Sequence, residues 1–337
     1  MHRITTLALV SSQLLAGCAA LEDEEPVDIA SEEHAIESGN NVPDGHVLLA
    51  TTVALWRGCT GTVIGRRHVL TAAHCTPRAN NEWAGFYNGT AVDPGDWTKV
   101  IEVWEQPGVF DSTGDDGDLF DTAGRYADFA VLTLEADIPD YAQPATLPHW
   151  RQAEGSSVLA VGNGGHDGAA NSRNWLRYRY NQIRSYGDDR TLNTEQEVTD
   201  PGDSGGPIYT SFSTQPVVHG ALWGHYWDYG GAGYRNRYTS TYYHVWSILE
   251  AMGHDSWTDK DRLGATYSSF GSSRLECAIA CVQEDYCRAY SWSAATATCN
   301  LRSNEIGSLF TATGRIYGRK PALTTPCTPT SYGVCRI

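Results

Sequence analysis

The chain is poor in basic residues and contains no basic run. It carries 24 Lys and Arg against 40 Asp and Glu, which gives a formal net charge of −16 at pH 7. A nucleic-acid-binding protein normally gathers basic residues on one face, so no nucleic-acid partner is expected. The densest arginine cluster, RNWLRYRY at 173–180, alternates in character along the chain and predicts a solvated strand face.

Long apolar runs are also missing. Beyond the N-terminus, no segment reaches the roughly 18 apolar residues that a transmembrane helix needs. Cysteine is absent from 76 to 276 although the chain has nine cysteines. No Cys/His spacing is typical of zinc, so neither a metal nor another cofactor is expected. With 337 residues, the chain is long enough for two or three domains.

The first 18 residues have the pattern of an export signal. MHRITTLALVSSQLLAGC starts with a short basic segment and continues as a mainly apolar run. Its end, Leu15-Ala16-Gly17-Cys18, resembles the lipobox of bacterial lipoproteins. That resemblance implies a lipid on Cys18, contact with the membrane through this anchor only, and a place in the bacterial cell envelope, on the outer membrane where there is one. The alternative is an ordinary signal peptide, which would give a secreted protein.

Residues 19–35 are predicted to be an acidic tether or pro-segment. No Lys or Arg lies between Ala19 and Trp56, and acidic residues crowd the start of this stretch. Charge repulsion and low hydrophobicity disfavour a packed structure there.

Short apolar segments separated by turn residues follow from about 47 to 240. They include HVLLATTVALW (46–56), GTVIG, FAVLTL, SVLAVG, PIYT and VVHGALWG, and they predict an all-β barrel or sandwich. TYYHVWSILEAMG (241–253) has apolar residues at helical spacing and a closing glycine, which predicts a helix. The polar segment HDSWTDKDR (254–262) is interpreted as a joint. Beyond it, four cysteines within 23 residues predict a small disulfide-rich module.

The segment TDPGDSGGPIY (199–209) holds Ser204 in a rigid turn. A serine hydroxyl is a poor nucleophile unless a base, a group that orients the base, and donors for an oxyanion surround it. The amides of Gly202 and Ser204 are candidates for these donors. Because prolines and glycines fix the turn, the donors would stay preorganised as charge develops.

Two other segments offer the base and the orienting carboxylate. His74 ends the strand-like stretch CTGTVIGRRHVLTAAHC, and Cys75 follows it directly. Cys59 lies 16 residues before Cys75, a plausible loop for a disulfide that fixes the backbone of His74. Asp128 stands immediately before the apolar run of YADFAVLTLE (126–135), so its carboxylate is expected to be partly buried.

LTAAHC, DFAVLTL and GDSGGP resemble, in this order, the three signature segments of trypsin/chymotrypsin-like serine proteases. The resemblance spans residues 36–255 and implies an all-β double barrel with a C-terminal helix. It implies that His74 is the general base, that Asp128 orients it, and that Ser204 attacks a peptide carbonyl through an acyl-enzyme. The expected function is therefore a serine endopeptidase acting on proteins or peptides. The alternative is a catalytically silent binding protein that keeps the fold.

The same resemblance implies an activation step. Asp203 would pair with the α-amino group that cleavage before Ile36 releases. The segment that begins at Ile36, IESGNNVPDGH, is a degenerate match to the family's new N-terminus, and Ala35 rather than Arg or Lys precedes it. A trypsin-like activating protease would therefore not cut there.

The residue six before the serine forms the floor of the substrate pocket in this family. Here it is Val198, followed by Thr199, while Trp223 and Gly224 would form the wall. An apolar floor predicts preference for an uncharged apolar or aromatic residue before the cut, because unpaired charge is costly to bury. Asp200, two residues on, leaves a basic preference open.

The C-terminal module, 256–337, resembles a PAN/Apple domain in LECAIACVQEDYCRAYSWSAATATCNLRS (275–303). That resemblance implies a helix stapled onto a small sheet, with protein or carbohydrate as the ligand. It also implies the pairs Cys277–Cys299 and Cys281–Cys287, which leave Cys327 for Cys335. A purely structural cap is the alternative.

Five aspartates occur in DSTGDDGDLFD (111–121). Carboxylates at this density can bind calcium, but the spacing of an EF-hand loop and its closing glutamate are missing. A solvated acidic insertion is the preferred interpretation.

Overall fold

A computed structural model describes residues 36, 39–76, 82–91, 94–106, 108–110, 119–121, 123–164, 175–187, 190–210, 215–228, 233–320 and 335–336. The predicted export signal with Cys18, the tether 19–35 and most of the acidic segment 111–121 lie outside these ranges. No helix of the described residues is long and apolar enough to cross a membrane.

The first part of the described chain forms a closed antiparallel barrel of six strands. Its elements are β1 (Asn40–Asn41), α1 (Val47–Thr51), β2 (Thr52–Leu55), β3 (Cys59–Gly65), β4 (His68–Thr71), a 3-10 turn (Ala73–Cys75), β5 (Trp83–Phe86), β6 (Asp96–Glu105), β7 (Gly108–Phe110), β8 (Leu119–Asp121) and β9 (Ala130–Leu134). The barrel order is β6-β5-β2-β3-β4-β9, and pairing of β6 with β9 closes it. The β7–β8 hairpin is separate, and β1 belongs to the next barrel.

A second closed barrel of six strands follows. Its elements are β10 (Ser157–Gly162), β11 (Arg177–Tyr186), β12 (Thr191–Thr194), β13 (Pro207–Thr210), β14 (Val217–Asp228), β15 (Gly233–Ser240) and α2 (Thr241–Ala251). The order is β11-β10-β13-β14-β15-β12, pairing of β11 with β12 closes the barrel, and β1 adds to β11. The predicted all-β double barrel with a C-terminal helix is confirmed, and Gly253, at φ 85°, follows that helix as expected.

One predicted strand is wrong in its first half. Residues 46–56 were expected to be extended, but α1 occupies Val47–Thr51 and only Thr52–Leu55 form β2. The His46 ring nitrogen Nδ1 accepts a hydrogen bond from the Leu48 amide at 3.3 Å and caps the helix. A short apolar run has the same pattern in a buried helical turn and in a buried strand, so the sequence could not separate them.

The C-terminal module is a five-stranded antiparallel sheet with one helix. Its elements are β16 (Asp255–Leu263), β17 (Thr266–Gly271), α3 (Arg274–Gln283), β18 (Ala289–Ser293), β19 (Thr298–Arg302) and β20 (Ile306–Arg319), and a last short strand is β21 (Cys335–Arg336). The sheet order is β16-β20-β18-β19-β17, whereas β21 runs parallel to β6 of the first barrel. Segment 254–262 is therefore not a joint. Most of it is edge strand β16, whose pairing with β20 overrides its polar sequence.

Disulfides join Cys277 to Cys299 and Cys281 to Cys287, the pairs that the PAN/Apple resemblance implied. They fasten α3 to β19 and to the loop that follows the helix. Ser273 and Glu276 form a capping box that starts α3. Cys327 and the side chain of Cys335 lie outside the described residues, so their pairing stays a prediction.

The helix α3 is packed into the core of the barrels. Ile279 and Val282 belong to the same core cluster as Ile64 of β3 and Ile248 of α2. At the end of α3, the Gln283 side-chain amide donates to the Ala145 carbonyl at 2.7 Å and to the Ile64 carbonyl at 3.1 Å. The barrels and the module therefore form one compact unit.

Gln283→Ala tests how strongly this contact holds the unit together. The substitution leaves two partly buried carbonyls without their donor, so we expect the free energy of unfolding to fall by about 1–2 kcal/mol. Gln182→Ala, at an exposed glutamine of β11, is the matched control and should stay within about 0.5 kcal/mol of the parent protein. Equal urea midpoints for the two variants would show that the Gln283 hydrogen bonds add nothing to the free energy of unfolding.

Candidate active site

His74 and Asp128 form a direct pair. The Asp128 Oδ2 atom lies 2.8 Å from His74 Nδ1, and Oδ1 accepts a hydrogen bond from the His74 backbone amide at 3.0 Å. Asp128 stands two residues before β9, and the 3-10 turn after β4 carries His74; the two strands are neighbours. Both carboxylate oxygens of Asp128 thus bind His74, one at its backbone and one at its ring. Together they fix the imidazole in position and orientation.

The two partners differ in exposure. The Asp128 side chain is fully buried, whereas about a third of the His74 side chain, 34%, is exposed. Burial alone would lower the pKa of His74, but the hydrogen bond and the charge of Asp128 outweigh it and raise this pKa above its ordinary value. With Nδ1 turned to the carboxylate, Nε2 is left for a partner on the open side.

A disulfide between Cys59 and Cys75 holds the backbone directly after His74. It links the start of β3 to the residue directly after His74. The two sulfurs and His74 lie close enough together to suggest a metal site. Because the sulfurs are bonded to each other, no thiolate remains to bind an ion.

The turn that carries Ser204 lies against the strands that lead to His74. The Ser204 carbonyl accepts a hydrogen bond from the Thr60 amide at 2.8 Å. A Cβ on Gly205 would stand 2.0 Å from Thr71 Oγ1 and 2.8 Å from the Ala72 nitrogen, so only glycine fits this contact. The two segments therefore meet within a few residues of Ser204 and His74. Among the hydrogen bonds of the described residues, none joins these two side chains directly.

Two amides in this turn have no acceptor within the described chain. Gly202 takes a φ of 102°, a backbone conformation that favours glycine. The amides of Asp203, Gly205 and Gly206 all donate to carbonyls nearby, whereas those of Gly202 and Ser204 do not. The turn thus leaves two N–H groups free to bind an anion.

Asp203 is fully buried and accepts three backbone hydrogen bonds. Its oxygens accept from the amides of Ile36 at 3.0 Å, Asp200 at 2.9 Å and Gly164 at 2.8 Å. Burial raises the pKa of Asp203 to about 6, because these donors offset the lost hydration only in part. The motif VGNGG makes room for the carboxylate, since a Cβ on Gly162 would lie 2.0 Å from Asp203 Oδ1.

The predicted pocket residues stand on two sides of the serine turn. Val198 is fully buried and packs with Ile36 and Ala160, while Thr199 is 8% exposed. Trp223 and Gly224 follow Leu222, whose carbonyl accepts from the Gly205 amide at 2.8 Å. The side chain of Val198 therefore fills a core site.

Sequence reasoning missed two residues that contact this region. Asn236 of β15 is fully buried, and its Oδ1 accepts from the Val198 amide at 2.7 Å while its amide group bonds to Thr199. Tyr126 meets the ring of Trp223 edge to face, with ring centroids 5.7 Å apart. Tyr126 stands only two residues before Asp128, but nothing in the sequence pattern showed which ring it would meet.

Asp121 is the one aspartate of segment 111–121 whose side-chain contacts are described. Its carboxylate accepts from the Arg125 guanidinium at 2.8 Å and 2.7 Å and from two backbone amides. These bonds hold its pKa below the ordinary value in spite of burial. The rest of the possible calcium site lies outside the described residues.

Two closed antiparallel barrels, with a His–Asp pair in one and a rigid serine turn of the other packed beside it, define a trypsin-like serine protease fold. A family model described as Trypsin matches residues 36–247, which is more than half of the chain. The chain therefore belongs to the trypsin family of serine proteases.

A solved structure with the same fold is neuropsin, a serine protease expressed in the limbic system of mouse brain. It shares 19% sequence identity with this chain at a TM-score of 0.51, and the match covers 64% of this chain and 99% of that one. At this identity the likeness shows the fold alone.

The pKa of His74 should depend on the charge of Asp128. In Asp128→Asn we expect this pKa to fall, because the carboxylate that stabilises the imidazolium is gone. The ion pair stabilises the folded state fully below the unfolded pKa of histidine and ceases to do so as pH rises through the raised folded pKa. A titration of the His74 ring protons by NMR, with Asp255→Asn as an exposed carboxylate control, measures the effect. An unchanged pKa would contradict the electrostatic role of Asp128.

Proposed function

We propose that this trypsin-family chain is an active serine endopeptidase in which Ser204, His74 and Asp128 form the catalytic triad. The observation that carries the proposal is the pairing of His74 Nδ1 with a fully buried Asp128 carboxylate, next to a glycine-fixed serine turn. His74 Nε2 removes the proton from Ser204 Oγ as that oxygen attacks the peptide carbonyl. The imidazolium then gives the proton to the leaving amine, and an acyl-enzyme remains. Water, activated by the same histidine, releases the acid product.

The free amides of Gly202 and Ser204 supply the oxyanion hole in this proposal. The carbonyl oxygen gains negative charge as the tetrahedral intermediate forms, and preorganised N–H groups stabilise that charge without rearrangement. Removal of one such donor typically costs about 10²–10³ in rate. The absence of competing acceptors within the described residues favours this role.

Covalent labelling by a fluorophosphonate tests the triad. Wild-type protein should react at Ser204, and Ser204→Ala should lose both the label and at least about 10⁴-fold in kcat. Ser308→Ala, an exposed serine of β20, is the matched control and should label normally. Folded protein that begins at Ile36 and still fails to label would instead support a catalytically silent binding protein.

We also infer that cleavage before Ile36 activates the enzyme. Ile36 is fully buried, and its nitrogen already lies 3.0 Å from the Asp203 carboxylate. Burial makes the charged form of Asp203 costly, and the backbone donors and the charge of Arg177 offset this cost only in part. No cation of the described residues forms an ion pair with Asp203. An α-ammonium group in place of the Ile36 amide would supply that cation.

Mass spectrometry of the N-terminus tests the activation step. Active protein should begin at Ile36, and Asp203→Asn should lower its kcat/KM by about 100-fold or more, because a buried ammonium would lose its partner. The exposed control Asp255→Asn should keep its activity. Full activity in a protein whose N-terminus lies upstream of Ile36 would overturn the inference.

A preference for an uncharged residue before the cut remains our proposal for the pocket. The Val198 side chain is uncharged and packs in the core with Ile36 and Ala160, and Asn236 satisfies the Val198 amide, so residue 198 offers no charge to a substrate. A peptide library cleaved mainly after Arg or Lys would contradict this preference.

A further inference from the structure

We propose that Arg237 selects substrates that carry an acidic side chain two to four residues before the scissile bond. The proposal rests on the proposed endopeptidase function and names a specificity residue outside the triad and the predicted pocket. The site lies at the free edge of strand β14, beside the serine turn.

The edge of β14 beyond Ala221 is open on one side. β14 pairs with β15 from Gly220 to Asp228, whereas its pairing with β13 stops at Ala221. Leu222 still bonds to the serine turn through Gly205 and Gly206. From Trp223 onward, no strand of the described residues occupies this side. An extended peptide can therefore add to the edge and run away from Ser204.

Arg237 stands directly across from Gly224 in the β14–β15 pair. Opposite residues of an antiparallel pair project from the same face, so the guanidinium lies on the face of Gly224. A Cβ built on Gly224 would meet no atom within 4 Å, which shows open space on that side. The arrangement leaves a site beside Arg237 that a substrate side chain can enter.

Among the described residues, the guanidinium of Arg237 has aromatic neighbours but no anionic one. Its Cζ lies 4.4 Å from the ring centroid of Tyr226 and 5.6 Å from that of Trp223. Arg237 has no ion pair or hydrogen bond with the described residues, and its Nε is buried without a partner. The rings hold the guanidinium in place by cation–π contact and leave its outer N–H groups unpaired.

Neighbouring arginines of the same barrel, unlike Arg237, lie close to carboxylates. Arg184 pairs with Glu195 and with Asp228, each at 3.0 Å, and Arg235 lies 3.9 Å from Asp228. In a chain of net charge −16, carboxylates are plentiful, and yet none of those in the described residues is placed at Arg237. An unpaired, positioned guanidinium is suited to receive a carboxylate from another molecule, because the planar group binds it through two parallel hydrogen bonds.

The distance along β14 between the serine turn and Arg237 sets which residue of the substrate should be acidic. Leu222 contacts the serine turn, and Tyr226 lies four residues farther, about 13 Å along the strand. A substrate chain that follows this edge from Leu222 brings its second to fourth residues before the cut to Trp223, Gly224 and His225, the three residues before Tyr226. The residue immediately before the cut stays at the pocket, so the preference proposed there is independent of Arg237.

Peptide pairs that differ only by Glu or Gln at one of these three positions test the proposal. We expect wild-type kcat/KM to be about tenfold higher for the best Glu peptide than for its Gln partner. The ratio should fall to about one in Arg237→Met and should be partly kept in Arg237→Lys. It should also shrink between about 0.05 M and about 0.5 M NaCl, since a partly exposed ion pair is screened by salt.

Arg184→Met is the matched control, because it removes one positive charge from the same barrel but from an arginine that already has partners. Its Glu/Gln ratio should equal that of the wild type. Equal cleavage of Glu and Gln peptides by active wild-type enzyme would overturn the role of Arg237 and leave the proposed activity intact.

Peptide binding to Ser204→Ala separates the two proposals further. If wild-type protein that begins at Ile36 neither cleaves peptides nor reacts with a fluorophosphonate, the endopeptidase proposal fails. The Arg237 site would still be supported if tryptophan fluorescence shows Ser204→Ala binding the Glu peptide about tenfold more tightly than the Gln peptide. Equal affinities there would overturn it.

Discussion

The contact between the Ser204 turn and strands β3 and β4 is the constraint on which the candidate site depends. The turn belongs to the second barrel, and the strands belong to the first. A backbone hydrogen bond joins Thr60 to Ser204, and Gly205 fits against Thr71 with no room for a Cβ. His74 follows β4 by three residues, so the same contact that joins the barrels brings the histidine and the serine to one place.

Two fully buried carboxylates lie beside the candidate active site. Asp128 is fully buried and is held by His74, whereas Asp203 is fully buried and is held by three backbone amides. Both carboxylates lie within a few residues of the segments that would perform catalysis. A buried carboxylate is costly without a partner, so each of them constrains strongly what can lie beside it. Arg237 is the opposite case. Two aromatic rings hold this cation, and no carboxylate of the described residues forms an ion pair with it.

The C-terminal module is an integral part of the fold. Helix α3 packs its apolar face against β3 and α2, and Gln283 satisfies two carbonyls of the first barrel. Arg66, on the turn after β3, adds an ion pair to Asp285 at 3.2 Å, although an exposed pair of this kind stabilises little. The module thus covers a surface of the barrels, and it makes this contact through helix α3. Its likeness to PAN/Apple domains, and any ligand of its own, stay predictions.

The residue pattern by itself predicted an all-β barrel or sandwich, the helix after it, and which serine, histidine and aspartate are candidates; the double barrel was implied by the resemblance to the trypsin family. These features depend on local patterns: alternating apolar residues, a closing glycine, and a turn that only glycine and proline can form. It also indicated the Cys59–Cys75 link, because a short loop next to His74 is a local property. Residues 46–56 and 254–262 were misjudged, because their conformation depends on what they pack against and pair with.

Only the tertiary structure decided the partners of Asn236, Tyr126 and Arg237. The contacts of these residues join different segments of the chain, and a linear pattern does not show that the amide and the tyrosine ring are buried or what the half-buried arginine meets. The register of β14 against β15 placed Arg237 opposite Gly224. A shift of one residue would have turned it to the other face of the sheet, and no local signal in the sequence fixes that register.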